Sequence, residues 1–425
     1  MSPSWGRASS AQPVALVDVR SMFCSVEREL DPTLVDVPLI VLSNNDGCAV
    51  SRTDEAKALG VRMGDPWFKL REKPHLSALV ARSSNYAEYG GYSSRFHTIV
   101  AGMSAVSCVY SVDEAFFETD RRDPAGHVAA VQHRVRRWTG LPTAAGVGST
   151  KVLAKVAQRH AKTTRSPLVD LTTWKPGEVR DLLAETPVSE VWGVGRRLTA
   201  GLARLDVHTA LDLALVDPGV LRRGWSVVVE RTGRELAGVP CMPVEYVAPQ
   251  RKQIMFSRML GRTVDSPQEM GDVLASYAAS AARRLRIHDL EAALMTVWIS
   301  SSRFRDHVEH KSISVALDPP TSDPLRLVEA TRPVLARMRT GHPHNRAGVL
   351  LTGLTPAGSQ PALWGGSDPA RERLAVAVDE LARRHGRAVV GYGLAGLRTA
   401  PRWEMRRERL SPAATTSWAE VLTVR

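Results

Sequence analysis

The 425-residue chain is 44% hydrophobic and 24% charged, ordinary globular proportions that exclude disorder throughout and leave room for roughly two to four domains. No apolar run reaches the roughly 18–20 residues of a membrane span, and the polar opening Met1–Pro13 lacks the apolar core of a secretory signal. Four scattered cysteines (Cys24, Cys48, Cys108, Cys241) with no C-x-x-C pair argue against a disulfide framework or a zinc site, so a cytoplasmic protein is expected. Lys plus Arg is 56 against 44 acids, a net charge of +12 that points to a polyanionic partner. Residues 1–149 hold 16 basic and 16 acidic side chains, so the whole excess lies beyond residue 150. That split suggests chemistry in the neutral first third and phosphate gripping in the rest.

In chain order, Val14–Val19 (VALVDV) predicts a buried strand with a carboxylate near its end, and Ser21–Leu30 a following helix. Leu39–Leu42 predicts a second buried strand, closed by the turn-rich Ser43–Gly47. Glu55–Leu59 reads as a short helix ending at Gly60. Cys108–Phe117 (CVYSVDEAFF) predicts a third strand with two acids among apolar neighbours. Ala145–Ser149 (AGVGS) leads into a helix, Thr150–His160, that spaces Lys151, Lys155 and Arg159 four residues apart. Glu190–Gly195 (EVWGVG) punctuates a helical segment, and Arg196–Leu205 carries the apolar stripe Leu198, Leu202, Leu205. A short helix over Thr209–Leu215 and a proline-rich linker, Pro240–Arg251, follow. Residues 252–355 then read β-α-β-β-α-β: strand Gln253–Leu260, helix Pro267–Ile287, strands Ala292–Ser300 and Lys311–Leu317, helix Leu325–Arg339, strand Ala347–Leu354. A sheet so built can lay its open face in a DNA groove, and Arg258, Arg262, Arg303 and Arg305 lie on or beside its strands. Past 356 the pattern is less regular, with a helix near Arg371–Arg384. The class is α+β and multidomain.

Three carboxylates stand out: Asp18 at the end of one buried strand, and Asp113 with Glu114 inside another. A buried ionised carboxylate needs a cation. Hard oxygen ligands without a His or Cys cluster suit Mg²⁺, with Mn²⁺ as a substitute. Acids on two adjacent strands can hold two ions about 3.5–4 Å apart, the arrangement for in-line phosphoryl transfer. Asp113 and Glu114 would face opposite sides of a regular strand, so a bulge or strand end is required there. Lys57, Lys155 and Lys162 have no acidic neighbour one turn toward the C-terminus, which leaves them for another anion such as a triphosphate. The glycines of Trp192–Gly195 fit the hairpin of a helix–hairpin–helix. There Gly193 and Gly195 would let backbone N–H groups approach a DNA phosphate, with Arg196 and Arg197 adding charge. The plain alternatives are a solvated strand end for the acids and a glycine turn with solvated arginines for the hairpin.

Seven stretches carry a family resemblance: VDVRSMFCSVE (17–27), VLSNNDGCAVSRTDEAKALGVRMGDPWFK (41–69), SSNYAEY (83–89), VYSVDEAFF (109–117), GVGSTKVLAKVA (146–157), VWGVGRRL (191–198) and LSPAATT (410–416). The chain resembles the Y-family translesion DNA polymerases, and among them the UmuC type, the catalytic subunit of DNA polymerase V. The resemblance implies a right-hand polymerase: palm and small fingers over 12–184, a helix–hairpin–helix thumb over 185–240, a DNA-binding little finger over 241–355, and a UmuC-type extension over 356–425. It implies that Asp18, Asp113, Glu114 and the backbone carbonyl of Val19 ligate two Mg²⁺ ions, Glu114 being the adjacent catalytic glutamate that completes the ion at the primer end. Phe23 matches the aromatic gate that excludes a ribose 2′-OH, where UmuC-type members often have Tyr. Lys57 and Lys162 match triphosphate contacts, Asp54 falls where many relatives have a triphosphate-binding Tyr, and Arg20 replaces a more usual Asn or Asp. Gln360, Leu363 and Trp364 resemble a clamp-binding peptide.

The implied activity is template-directed, error-prone translesion synthesis in DNA repair and the SOS response. The implied partners are primer-template DNA including damaged DNA, dNTP, a sliding clamp, a UmuD-type accessory dimer and a RecA filament, with no membrane. The rival readings are a non-catalytic accessory subunit that binds DNA and clamp, and a two-metal nuclease using the same acids.

Overall fold

Six consecutive buried residues, Val14–Val19, make a strand that must be covered on both faces, and the first part of the fold is built around it. The computed structural model describes residues 12–244, 250–302, 308–338, 341–359, 368–385, 390–392 and 401–421. The chain divides into two units, one of residues 1–43, 48–248 and 409–425, the other of 44–47 and 249–408.

The first unit runs β1 (Val14–Val19), α1 (Met22–Leu30), β2 (Leu39–Leu42), β3 (Ala49–Arg52), α2 (Asp54–Ala58), α3 (Trp67–Leu70), β4 (Val80–Ser83), α4 (Tyr86–Ala101), β5 (Ser107–Val109), β6 (Glu114–Glu118) and α5 (Pro124–Thr139). It continues through β7 (Thr143–Gly148), α6 (Lys151–Thr163), β8 (Leu168–Asp170), α7 (Pro176–Glu185), α8 (Arg196–Leu202), α9 (Ala210–Leu215), α10 (Pro218–Gly224) and α11 (Val227–Leu236). The main sheet has the order β5-β6-β1-β7-β8, and a small one the order β3-β2-β4.

Side chains alternate across β1. Ala15, Val17 and Val19, with Phe117 and Val147, pack against Val26 of α1, Phe96 of α4 and Val131 of α5. Leu16 and Phe116 face the other way and meet Ala154 of α6. Asp18 shares the parity of Leu16, and Glu114 that of Phe116, so both acids belong to the face covered by α6.

The predicted strand Cys108–Phe117 is a hairpin instead. Cys108 pairs with Phe116, and the Tyr110 and Ser111 amides donate to Glu114 O at 3.1 and 3.2 Å. The Ser111 hydroxyl turns the corner by donating to Asp113 Oδ1 at 2.6 Å. Asp113 therefore sits in the turn and Glu114 starts β6, which meets the requirement for a strand end between them.

The second unit contains β9 (Gln253–Val264), α12 (Pro267–Ile287), β10 (Leu290–Ser300), β11 (His310–Thr321), α13 (Pro324–Glu329), α14 (Arg332–Leu335), β12 (His344–Pro356) and α15 (Pro369–His385). Its antiparallel sheet has the order β11-β10-β12-β9, backed by the apolar face of α12. The predicted helix Leu325–Arg339 is broken at Ala330–Thr331, ahead of Pro333, which has no N–H to continue it. No helix among the described residues is long and apolar enough to cross a membrane.

Gly146 of β7 sets how closely α6 approaches the sheet. A Cβ there would lie 2.1 Å from Gln158 N and 2.3 Å from Ala154 O, both backbone atoms that cannot swing aside. Gly146→Ala is expected to lower unfolding stability by about 3 kcal/mol, read from the denaturant midpoint; a wild-type midpoint would show that the close approach is not needed.

Candidate active site

Register brings the acids together. Asp18 is paired directly with Glu114 across β1 and β6, and the Val19 amide donates to Asp113 O at 2.9 Å. Both side chains meet α6, where Lys155 and Lys162 stand seven residues apart, two turns along one face. Lys155 Nζ donates to both oxygens of Glu114, at 2.9 and 3.1 Å, and lies 4.3 Å from the centre of the Tyr110 ring. Lys162 Nζ is 2.6 Å from Asp18 Oδ1. Among the described residues that buried oxygen accepts no hydrogen bond of acceptable direction.

Burial pushes the Asp18 carboxyl up to about 7 from an ordinary 3.8. Lys162 opposes the shift, and the neighbouring Glu114 carboxylate, an acceptor for the protonated form of Asp18, adds to it. Among the described residues no three acidic, His or Cys side chains surround a single point as a metal cage. Two of the three carboxylates are held by lysines, and Asp113 by Ser111.

Beside the acids a cleft of ≈ 860 Å³ is lined by Phe23, Lys57, Asp113 and Lys162, together with Arg20, Arg52 and Arg165. The Phe23 ring stacks on Tyr89, with centroids 4.5 Å apart and planes 11° apart, and meets Tyr86 edge-on at 6.3 Å. Lys57 pairs with Asp54 at 2.7 Å on the exposed first turn of α2, and that hydrogen bond holds Asp54 below the usual carboxylate range. The expectation that the three lysines lack acidic partners is thus corrected. Their partners lie one turn back (Asp54) or across the sheet (Asp18, Glu114), where a search toward the C-terminus alone could not find them. Arg20 donates to Ser166 O at 2.7 Å and so ties β1 to the segment before β8.

The hairpin lies between a 3₁₀ turn, Val188–Glu190, and α8. Gly193 adopts φ +87°, and Gly193, Gly195, Arg196 and Arg197 are exposed. Trp192 turns inward, its Nε1 donating to the Tyr110 hydroxyl at 2.7 Å and its ring 5.7 Å from that of Phe116.

In the second unit Arg258 falls in the row of Ala347 and Ile299, on the helix-backed face at the sheet edge, with its guanidinium 4.9 Å from the centre of the Phe256 ring. Arg262 pairs with Glu269 of α12. The uncovered face carries Trp298, lying against Gly348, and Arg346, 5.2 Å from the indole. Sequence reasoning passed over both, because only a known register separates the two faces. Arg303, Arg305, Gln360, Leu363 and Trp364 lie outside the described residues.

Known proteins resemble this chain in sequence and fold. Residues 17–159 match the impB/mucB/samB family, 251–362 its C-terminal domain, and 372–424 a domain of unknown function, DUF4113. A Y-family DNA polymerase chimera of Dbh and Dpo4 superposes with a TM-score of 0.63 at 21% identity over 80% of this chain and 98% of its own, so the fold is that of Y-family polymerases. ImpB of Salmonella typhimurium is 37% identical, covering 96% of this chain and 98% of ImpB, and UmuC of the same species is 35% identical over 97% of this chain and 100% of UmuC. DNA polymerase IV 2 of Mesorhizobium japonicum is 29% identical over 90% of this chain. The chain belongs to the impB/mucB/samB family, the UmuC branch of the Y-family translesion polymerases.

Asp18 generates a pH prediction for the metal-free protein. Its raised pKa stabilises the fold fully below the unfolded carboxyl value near 4, and that contribution is lost as pH rises through about 7. Asp18→Asn should flatten this part of the curve of denaturant midpoint against pH. A mutant curve parallel to the wild type would mean Asp18 titrates as an ordinary carboxyl.

Proposed function

We propose that this chain is an error-prone, template-directed DNA polymerase that extends primers past damaged bases. The observation that carries the reading is one cleft lined by Asp113, Phe23, Lys57 and Lys162, with Lys162 reaching from that cleft to Asp18, the cross-strand partner of Glu114. Y-family polymerases generally use divalent metal ions. The donors here fit such ions: three hard carboxylates, one with a buried oxygen that lacks a directed hydrogen bond. Asp18, Asp113, Glu114 and the Val19 carbonyl would hold two Mg²⁺, or Mn²⁺ in their place. Bound there, such ions lower the pKa of the primer 3′-hydroxyl and offset charge developing on the phosphates.

The chain's own residues do the rest. Lys155 and Lys162 neutralise the acids when no metal is present. The same two ammoniums would also serve the triphosphate, as flexible point charges beside the cleft. Lys57, weakly held by the exposed Asp54, reaches the same cleft. The Phe23 ring, backed by Tyr89, occupies the floor on which a deoxyribose rests and a 2′-OH would collide. The exposed Gly193–Arg197 segment offers backbone N–H groups and two guanidiniums to a DNA phosphate. Arg258 and Arg262 add charge at the edge of the second unit's sheet, while Arg346 and Trp298 are better placed to meet the duplex on its uncovered face. A sliding clamp at Gln360, Leu363 and Trp364, a UmuD-type dimer and a RecA filament complete the reading as partners in the cytoplasm.

Primer extension by the purified chain, alone and with candidate partners, tests the reading directly. Asp113→Ala should reduce nucleotide addition by about a thousandfold or more while primer-template binding is retained; retained extension would remove Asp113 from the mechanism. Phe23→Ala should lower the preference for deoxyribonucleotides over ribonucleotides by about tenfold or more, measured as the ratio of kcat/KM values. An unchanged ratio would reject the gate.

A further inference from the structure

Two of the stretches that carry the family resemblance, 83–89 and 410–416, lie more than 300 residues apart in sequence and pair with each other in the first unit. The Ser83 amide donates to Arg409 O at 2.9 Å, and the Arg409 amide returns a bond to Ser83 Oγ at 2.9 Å. The side-chain amide of Asn85, the N-cap of α4, donates to Ser411 O and Ser411 Oγ, both at 3.1 Å. Glu88 is fully buried. Every hydrogen bond to its carboxylate among the described residues comes from the tail: the Thr415 amide at 3.0 Å, the Thr416 hydroxyl at 2.6 Å, and the Thr415 hydroxyl. Burial alone would raise this carboxyl, but the Thr415 and Thr416 bonds outweigh it and hold it below its ordinary value. The tail is therefore built into the catalytic unit at the first turn of α4.

That turn carries Tyr89, the ring stacked under Phe23. The Tyr89 hydroxyl donates to Glu27 Oε1 at 2.5 Å, and the Ser411 hydroxyl donates to the same oxygen at 3.1 Å. Glu27 is also fully buried, and burial pushes its carboxyl up. We propose that Ser411 of the C-terminal tail is a positioning residue for the sugar gate, acting through Glu27 and Tyr89 on the ring of Phe23. The proposal rests on the reading of the cleft as a nucleotide-adding site. It gives a task to part of the segment matched only as a domain of unknown function.

Glu27 Oε1 receives two hydroxyls, and without Ser411 it keeps only that of Tyr89, inside a site with no water-exposed surface. The carboxyl then moves or takes up a proton, and the Tyr89 hydroxyl moves with it. A stacked ring that shifts by a fraction of an ångström changes how closely Phe23 meets the sugar edge, because aromatic contacts depend steeply on offset. Base pairing and phosphate binding do not involve this chain of contacts.

The test is single-nucleotide insertion by the full chain on primed template, with kcat/KM measured for a dNTP and the matching rNTP. Ser411→Ala should lower the deoxy-to-ribo ratio by about fivefold, the equivalent of one hydrogen bond, mostly through a higher ribonucleotide kcat/KM. Ser411→Thr, which keeps the hydroxyl, should restore the ratio. Tyr89→Phe keeps the stacked ring and removes its hydroxyl, so it should lower the ratio similarly and serves if Ser411→Ala folds poorly. A melting temperature that falls in both Ser411→Ala and Tyr89→Phe while the ratio stays at the wild-type value would overturn the proposal and leave the tail a purely structural strap. Phe23→Ala separates the two readings. If it loses discrimination and the Ser411 and Tyr89 variants do not, only this inference fails; if it too keeps discrimination, the gate assignment beneath it fails.

Discussion

The buried pairing of Asp18 with Glu114 across β1 and β6 is the constraint on which the rest of the catalytic unit turns. Two carboxylates on one sheet face, one of them nearly inaccessible, cannot both stay ionised without cations. The fold supplies two, from one face of α6 two turns apart, and α6 can come that close only because Gly146 offers no side chain where the helix crosses. Asp113 is kept out of the pairing by the serine turn that places it one residue before the strand. Asp18 and Glu114 are therefore neutralised by side chains that a triphosphate would also attract.

Much of this was legible in the sequence. Val14–Val19, Leu39–Leu42 and Pro267–Ile287 form the elements that their apolar runs predict, with the same bounds. The β-α-β-β-α-β order of the second unit follows from its periodicity, because each element buries one face and alternates accordingly. The three acids stood out because charge in an apolar strand is costly wherever it occurs.

What the sequence hid were relations between distant segments. A hairpin and a single strand share the same alternation, so the turn at Ser111–Asp113 appears only once β5 is seen to pair with β6. Lysines that seemed free along their own helix find acids across the sheet. Arg258 and Arg346 look alike as charges on strands, yet register sends them to opposite faces. The tail looked irregular because its hydrogen bonds go to another part of the chain: Ser411, Thr415 and Thr416 satisfy Glu27 and Glu88, and no local pattern records that.

The central claim, that Asp18, Asp113 and Glu114 exchange their present partners for divalent cations when nucleotide arrives, is tested most directly by counting bound Mn²⁺. Electron paramagnetic resonance of the full chain with a dideoxy-terminated primer-template and the next correct dNTP should report two ions per chain beyond those bound by the free nucleotide and DNA. Asp18→Asn should lose them. Wild-type protein that binds none, or an Asp18→Asn variant that binds as many as wild type, would contradict the account.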